Sequence, residues 1–146
     1  MKVLVLGGDG YCGWATALGL AARGIDVTIA DNFARRQWDA QLGVASLTPI
    51  ASMNDRLAEW RRLTGSPIGF AEVDVTQYDA LCRLLEDLQP HAIVHFAQQR
   101  SAPFSMIDHD HALLTHVNNT VGNLNLLWAM REYAPDAHLV KLGTMG

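Results

Sequence analysis

Cysteine, lysine and long apolar runs are what these 146 residues have least of. Two cysteines, Cys12 and Cys82, cannot build a disulfide framework in a chain of this size. They point to a reducing compartment, the cytoplasm or an organelle stroma after processing. Lysine occurs only at Lys2 and Lys141, and the arginines are scattered rather than striped. With 11 basic against 15 acidic residues the formal net charge is −4, which argues against a nucleic-acid surface held by phosphate contacts. No apolar stretch approaches the roughly 18 residues that crossing a bilayer takes. The opening Met1-Lys2-Val3-Leu4-Val5-Leu6 also meets glycine too soon for a signal peptide. Membrane and secretory classes are therefore not expected. Apolar side chains are plentiful, at 49% against 18% charged, enough for one ordinary core but hardly two. A single globular domain is expected.

Hydrophobic patterning predicts alternating strands and helices. Lys2 to Leu6 is a continuous apolar run stopped by Gly7-Gly8, as in a strand buried on both faces of a parallel sheet. A helix is expected from Tyr11 to Arg23, with Trp14, Leu18 and Ala22 at helical spacing and Gly24 placed for a left-handed cap. Ile25 to Ala30 reads as the second strand. The connection from Asp31 to Pro67 is long, and its middle reads as a helix with Leu57, Trp60 and Leu63 on one face. Strands follow at Ile68–Val73, Ala92–Phe96 and Ala137–Leu142. Between them lie a helix at Tyr78–Leu88 and a longer one from about His111 to Tyr133, with Leu114, Val117, Val121, Leu124 and Trp128 on one side. The expected architecture is a doubly wound parallel α/β sheet of the Rossmann type, binding its ligand at the carboxyl ends of the strands. Gly143-Thr144-Met145-Gly146 stands where such a domain turns into another helix. The chain is thus expected to be an incomplete domain, truncated after its fifth strand.

The turn after the first strand carries the most specific chemistry. Gly7, Gly10 and Gly13 give the spacing G-x-x-G-x-x-G between strand and helix. Glycines there permit positive φ, close approach of backbone to a diphosphate, and close packing of helix on strand. The N–H groups of Tyr11 and Cys12 would face that ligand at the positive end of the helix, with Cys12 read as a small neighbour rather than a reactive thiol. Asp31 follows at the end of the second strand, where a carboxylate accepts both hydroxyls of an adenosine ribose and repels a 2′-phosphate. NAD is therefore expected rather than NADP. Arg35 and Arg36, just beyond, are the counter-signal, since arginines there can accommodate that phosphate or cover the adenine side. Asp74 and Val75 are candidates for the adenine edge.

The loop after the fourth strand, His95 to Pro103, brings small and polar residues to the point where strand order reverses. Arg100 is a candidate for gripping a phosphate or another oxyanion. His95 is expected to be a hydrogen-bonded core residue. The tract Asp108-His109-Asp110-His111 with His116 is not expected to hold a metal: His111 and His116 would lie roughly 140° apart around a helix. Asp108 or Asp110 instead suits a helix cap. Asn118-Asn119 is a poor helical pair near Gly122, a local violation of the kind that marks a site or a tight contact. Trp14, Trp60, Trp128 and Cys82 read as packing, and Trp38 is left open. Thr144 would place a hydroxyl beside the same cleft.

These residues resemble a known family. Gly7-Gly8-Asp9-Gly10-Tyr11-Cys12-Gly13-Trp14, Asp31-Asn32 and His95-Phe96-Ala97 are similar to the extended short-chain dehydrogenase/reductases, the nucleotide-sugar epimerases and dehydratases. Ser46 to Ser52 with Arg56 and Trp60, Gln99 to Asp108, and His138 to Gly146 narrow the resemblance to the UDP-sulfoquinovose synthases of sulfolipid biosynthesis. It covers essentially the whole chain. It implies an NAD-dependent enzyme taking UDP-glucose and sulfite to UDP-sulfoquinovose by oxidation at C4, loss of water across C5 and C6, sulfite addition and return of the hydride. By position it implies cofactor contacts at the glycine turn, Asp31, Asn32, Asp74, Val75, Phe96, Ala97 and Asn118. It also implies substrate contacts at Gln99 and Arg100, and a catalytic hydroxyl on Thr144 against the sugar. A homodimer is implied for the full-length protein. Two departures stand out. The family's Tyr-x-x-x-Lys would lie beyond Gly146, since Tyr133 has Ala137 four residues on; and Ala97-Gln98-Gln99-Arg100 lacks the glutamate expected before Gln-Arg. Another sugar-nucleotide epimerase or dehydratase, or a non-catalytic dinucleotide-binding module, are the alternatives.

Overall fold

The computed structural model describes residues 1–143. Five strands, β1 (Lys2–Leu6), β2 (Asp26–Asp31), β3 (Gly69–Glu72), β4 (Ala92–His95) and β5 (His138–Lys141), form one parallel sheet in the order β3-β2-β1-β4-β5. Strand order therefore reverses between β1 and β4, where Leu6 pairs with Ala30 on one side and His95 on the other. The doubly wound α/β architecture is as expected, and each strand end lies within two residues of its sequence expectation.

The central strand explains the layering. Its pleat sends Val3 and Val5 to one face and Leu4 and Leu6 to the other, and all four are buried. Val3 and Val5 share a cluster with Val27 and Ile29 of β2 and with Ala17, Ala21 and Met53 from α1 (Tyr11–Ala21) and α3 (Met53–Thr64). Leu4 and Leu6 share a cluster with Ile93 of β4 and with Leu81, Leu85, Leu126 and Ala129 from α4 (Tyr78–Leu88) and α7 (Gly122–Tyr133). Burying side chains of this size is worth about 1.5–3 kcal/mol each. The sheet is thus covered on both faces, the condition under which strands read as continuous apolar runs.

Local signals set the helix ends. The Ser52 hydroxyl accepts the Asp55 N–H at 3.1 Å and starts α3, and Gly65 at φ +74° ends it. Asp108 caps α6 (His109–His116), its carboxylate accepting the His111 N–H at 2.9 Å and the ring Nδ1–H at 2.6 Å. The acid and histidine tract thus serves a helix start.

Three helical faces differ from the sequence expectation. On α1 the buried stripe is Gly13, Ala17 and Ala21, with Trp14 and Leu18 half-buried and Ala22 exposed. Small residues face the sheet there because the helix approaches it too closely for larger ones. The expected helix from His111 to Tyr133 is α6, a π-helical turn at Val117–Val121, and α7. Leu114, Val121, Leu124 and Trp128 on it are exposed, while Asn118, Gly122, Leu126, Ala129 and Met130 point inward. The helix is apolar on two sides, so periodicity alone does not select the face that meets α4. Leu63 on α3 is likewise exposed.

Candidate functional site

A cavity of about 370 Å³ opens at the carboxyl ends of the strands, over the reversal between β1 and β4. One wall is the turn from β1 into α1. Gly7 takes φ +83°, and a Cβ there would lie 2.6 Å from the Ala97 nitrogen at the end of β4. A Cβ at Gly13 would lie 2.1 Å from the Gly7 carbonyl oxygen. Both glycines are therefore required by the close approach of turn, helix and neighbouring strand. Gly10 begins α1 with no side chain capping it, so the N–H groups of the first turn face the cavity beside Tyr11 and Cys12.

The opposite wall comes from the end of β2. The Asp31 carboxylate accepts the Asp9 N–H and the Phe33 N–H, each at 2.8 Å. Burial pushes its pKa up, and the two N–H donors partly offset that rise. The second hydrogen bond holds Phe33 in the left-handed region at φ +58°, from which α2 (Ala34–Gln41) starts. Asn32 accepts the Ala34 N–H at 3.0 Å and donates to Asp74 at 2.9 Å, linking this corner to the end of β3.

Gly7, Gly10, Tyr11, Cys12, Gly13, Asp31, Asn32, Arg35, Val75, Phe96, Ala97, Arg100 and Asn118 all line the cavity. Three other sequence candidates do not. Asp74 is turned away, its carboxylate taken by Asn32 and by the Thr76 N–H and hydroxyl, which with burial working the other way hold its pKa below the ordinary value. Arg36 is turned onto Asp9. Gln99 is buried beneath the loop, where its amide bonds Ser101 and the Thr115 hydroxyl. Thr144 lies outside the described residues.

Gln99 nonetheless shapes the wall. Asn119 accepts its N–H and donates to its carbonyl, both at 2.8 Å, so a side-chain amide pairs with the loop as a strand would. Asn119 lies in the π-helical turn Val117–Val121, which also carries buried Asn118 at the cavity beside it. Gln98 and Arg100, flanking Gln99, both line the cavity.

Trp38, left open by its sequence context, lines the cavity and packs on Phe104 at 5.6 Å between centroids. His95 is buried as expected but its Nδ1 has no hydrogen-bond partner among the described residues. Burial, helped by Lys141, pushes its pKa down to about 4. The residue that sequence reasoning missed is Asp9. It is 3% exposed, and its carboxylate gathers Arg36 and Arg56. Burial would raise its pKa, but the two guanidiniums hold it below the ordinary value. A charged residue among glycines that approach a diphosphate was the signal available. No group of three or more His, Cys, Asp or Glu among the described residues is arranged to hold a metal.

This arrangement has relatives. Over 145 residues the chain is 50% identical to the chloroplastic UDP-sulfoquinovose synthase of Spinacia oleracea, covering 99% of this chain and 30% of that protein. It is 43% identical to the UDP-sulfoquinovose synthase of Sulfolobus acidocaldarius, covering 100% of this chain and 37% of that protein. The chain thus spans about a third of the length of these relatives. Its fold matches a UDP-glucose 4-epimerase from Stenotrophomonas maltophila, crystallised with NAD and formylated UDP-arabinopyranose. That match has TM-score 0.72 and 26% identity over 97% of this chain and 36% of that one. Residues 3–146 match the description of one family throughout. The chain belongs to the NAD-dependent epimerase/dehydratase family.

Proposed function

We propose that residues 1–146 form the cofactor-binding part of a UDP-sulfoquinovose synthase-like enzyme and bind NAD in the cavity above β1 and β4. The observation that carries this reading is the junction of three features in one cavity: glycines too closely packed for any Cβ, an uncapped helix N-terminus, and a half-buried carboxylate at the end of β2. A dinucleotide needs those features together: backbone donors for its diphosphate and an anion for its ribose diol.

The residues divide the work by chemistry. The first-turn N–H groups of α1 stabilise the diphosphate charge without desolvating a side-chain cation. Asp31, its orientation locked by two backbone donors, presents its remaining lone pairs to the ribose. Val73, Val75 and Trp38 offer apolar walls on the adenine side. Phe96 and Ala97 line the other end, and Asn118 and Arg100 supply donors there, Arg100 for an anionic part of a substrate. Bound NAD would supply the hydride acceptor and donor for oxidation and reduction of a sugar carbon. Thr144 is the proposed hydroxyl against the sugar, and Asp74, Arg36 and Gln99 act through the residues they hold.

Likeness to the two synthases supports UDP-glucose and sulfite as substrates. Two unpaired cysteines suit a reducing compartment, cytoplasmic or stromal. The exposed apolar residues Leu113, Leu114, Leu124, Leu127 and Trp128 on α6 and α7 suit a homodimer contact in the full-length protein. Calorimetric titration of NAD into the chain tests the cofactor reading: saturable binding is expected, and its absence overturns it. The synthase reading is tested by following sulfite in the presence of UDP-glucose and NAD with the protein that carries these residues. Turnover of the sugar nucleotide with sulfite unconsumed would make it another epimerase or dehydratase.

A further inference from the structure

Three arginines converge on one buried carboxylate beside the proposed ribose site. Arg36 grips Asp9 with both arms of its fork, Nε to Oδ2 at 2.8 Å and Nη2 to Oδ1 at 2.7 Å. Arg56 adds a hydrogen bond to Oδ1 while lying 4.5 Å over the Trp14 ring, and Arg35 stands 4.0 Å from Oδ2 with its Nη1 on Asp39 at 2.9 Å. The Asp9 backbone meanwhile donates to Asp31, so both carboxylates belong to one corner of the site.

Arg35 and Arg36 follow β2, where an arginine accommodates the 2′-phosphate in dinucleotide domains that take NADP. Recognition of a phosphate by arginine rests on two parallel N–H donors. In this fold Arg36 has already committed that pair to Asp9, and Arg56 is committed to the same oxygen. We infer that Asp9 is a specificity-determining residue, sequestering Arg36 and Arg56 so that neither is available to a 2′-phosphate beside Asp31, where the cavity-lining Arg35 is itself held on Asp39. The inference rests on the cofactor reading above and adds to it a second determinant, 22 positions upstream of Asp31. Removing the carboxylate leaves guanidiniums without a counter-ion in a partly buried corner, a costly state that a phosphate dianion relieves.

The test is calorimetric titration of NAD and of NADP into the protein, Asp9→Ala, and Asp9→Ala combined with Arg36→Ala. The native protein is expected to favour NAD. Asp9→Ala is expected to tighten NADP about tenfold, the scale of one charge-assisted hydrogen bond. Adding Arg36→Ala is expected to reverse most of that gain. NADP affinity unmoved in an Asp9→Ala protein that still binds NAD overturns the inference alone, and so does a gain that survives loss of Arg36. Should Asp9→Ala not fold, Arg36→Ala by itself decides: NADP affinity within about twofold of native supports sequestration, and a tenfold loss overturns it, because a sequestered arginine contributes nothing to that ligand. A native protein that binds neither nucleotide overturns the cofactor reading and this inference with it.

Discussion

The backbone N–H of Asp9 donates to Oδ2 of Asp31 at 2.8 Å, tying the glycine turn to the end of the second strand. One carboxylate therefore orients the turn, holds Phe33 at the start of α2 through a second 2.8 Å bond, and faces the cavity. Asp31→Ala is expected to weaken NAD binding at least about tenfold, since each charge-assisted hydrogen bond is worth about 1.5–3 kcal/mol. It is also expected to lower Tm, because two N–H groups lose their acceptor. Asp31→Asn, which keeps one acceptor oxygen, should fall between. Calorimetry and thermal melts check this, and an unchanged NAD affinity would mean the ribose lies elsewhere.

Gly13→Ala should be among the most damaging single-methyl additions in the chain. Its Cβ would stand 2.1 Å from the Gly7 carbonyl, a backbone atom that cannot swing aside, so α1 must lift from β1. Overpacking of this kind costs about 1–3 kcal/mol. A urea denaturation series against the native chain is the measurement. Equal midpoints would show that the turn has room for a methyl group.

His95 links stability to pH. In the unfolded chain its ordinary value is 6.5, and burial lowers it to about 4 when folded. Between those values the unfolded chain binds the proton first, so the stabilising contribution is complete above pH 6.5 and declines down to about pH 4. The difference corresponds to stability on the order of 3 kcal/mol. His95→Leu, which cannot titrate, should lose less stability than the native chain between pH 7 and pH 4.5. Parallel urea midpoints for the two proteins across that range would contradict the assignment.

The 146-residue chain is expected to bind NAD without forming product from UDP-glucose and sulfite. It contains no tyrosine with lysine four positions on. Loss of a general base costs at least about 100-fold in rate. Steady product formation by the purified chain, followed by chromatography of the sugar nucleotides, would place the base on a residue described here.

Much of the scaffold was legible because its signals are local. The helix Tyr78–Leu88 and the strand Lys2–Leu6 have the bounds that their flanking Gly7-Gly8, Pro90 and apolar spacing imply. The cavity's glycine wall and Asp31 were legible for the same reason: the positive φ of Gly7 and the closeness of Gly13 to the Gly7 carbonyl arise within the turn, although the strand end at Ala97 that also crowds Gly7 is remote in sequence. Asn118-Asn119 stood out as a poor helical pair, and the π-helical turn is found there. Which side of α7 turns inward was not legible, because Leu124 and Trp128 repeat as regularly as Leu126 and Ala129. Periodicity reports an apolar face but does not name its partner.

What the chain's order of residues determined by itself is the alternation of strand and helix segments, the turn of glycines and the place of the acid at the second strand's end, since each is written in signals between near neighbours. Tertiary structure alone decided that Arg36 and Arg56, 27 and 47 positions from Asp9, would be spent on that carboxylate. It also brought Trp38 from the long connection to the cavity wall. Charges and rings so far apart in sequence meet only after the sheet has closed the distance, and their pairing is chosen by which groups are desolvated together.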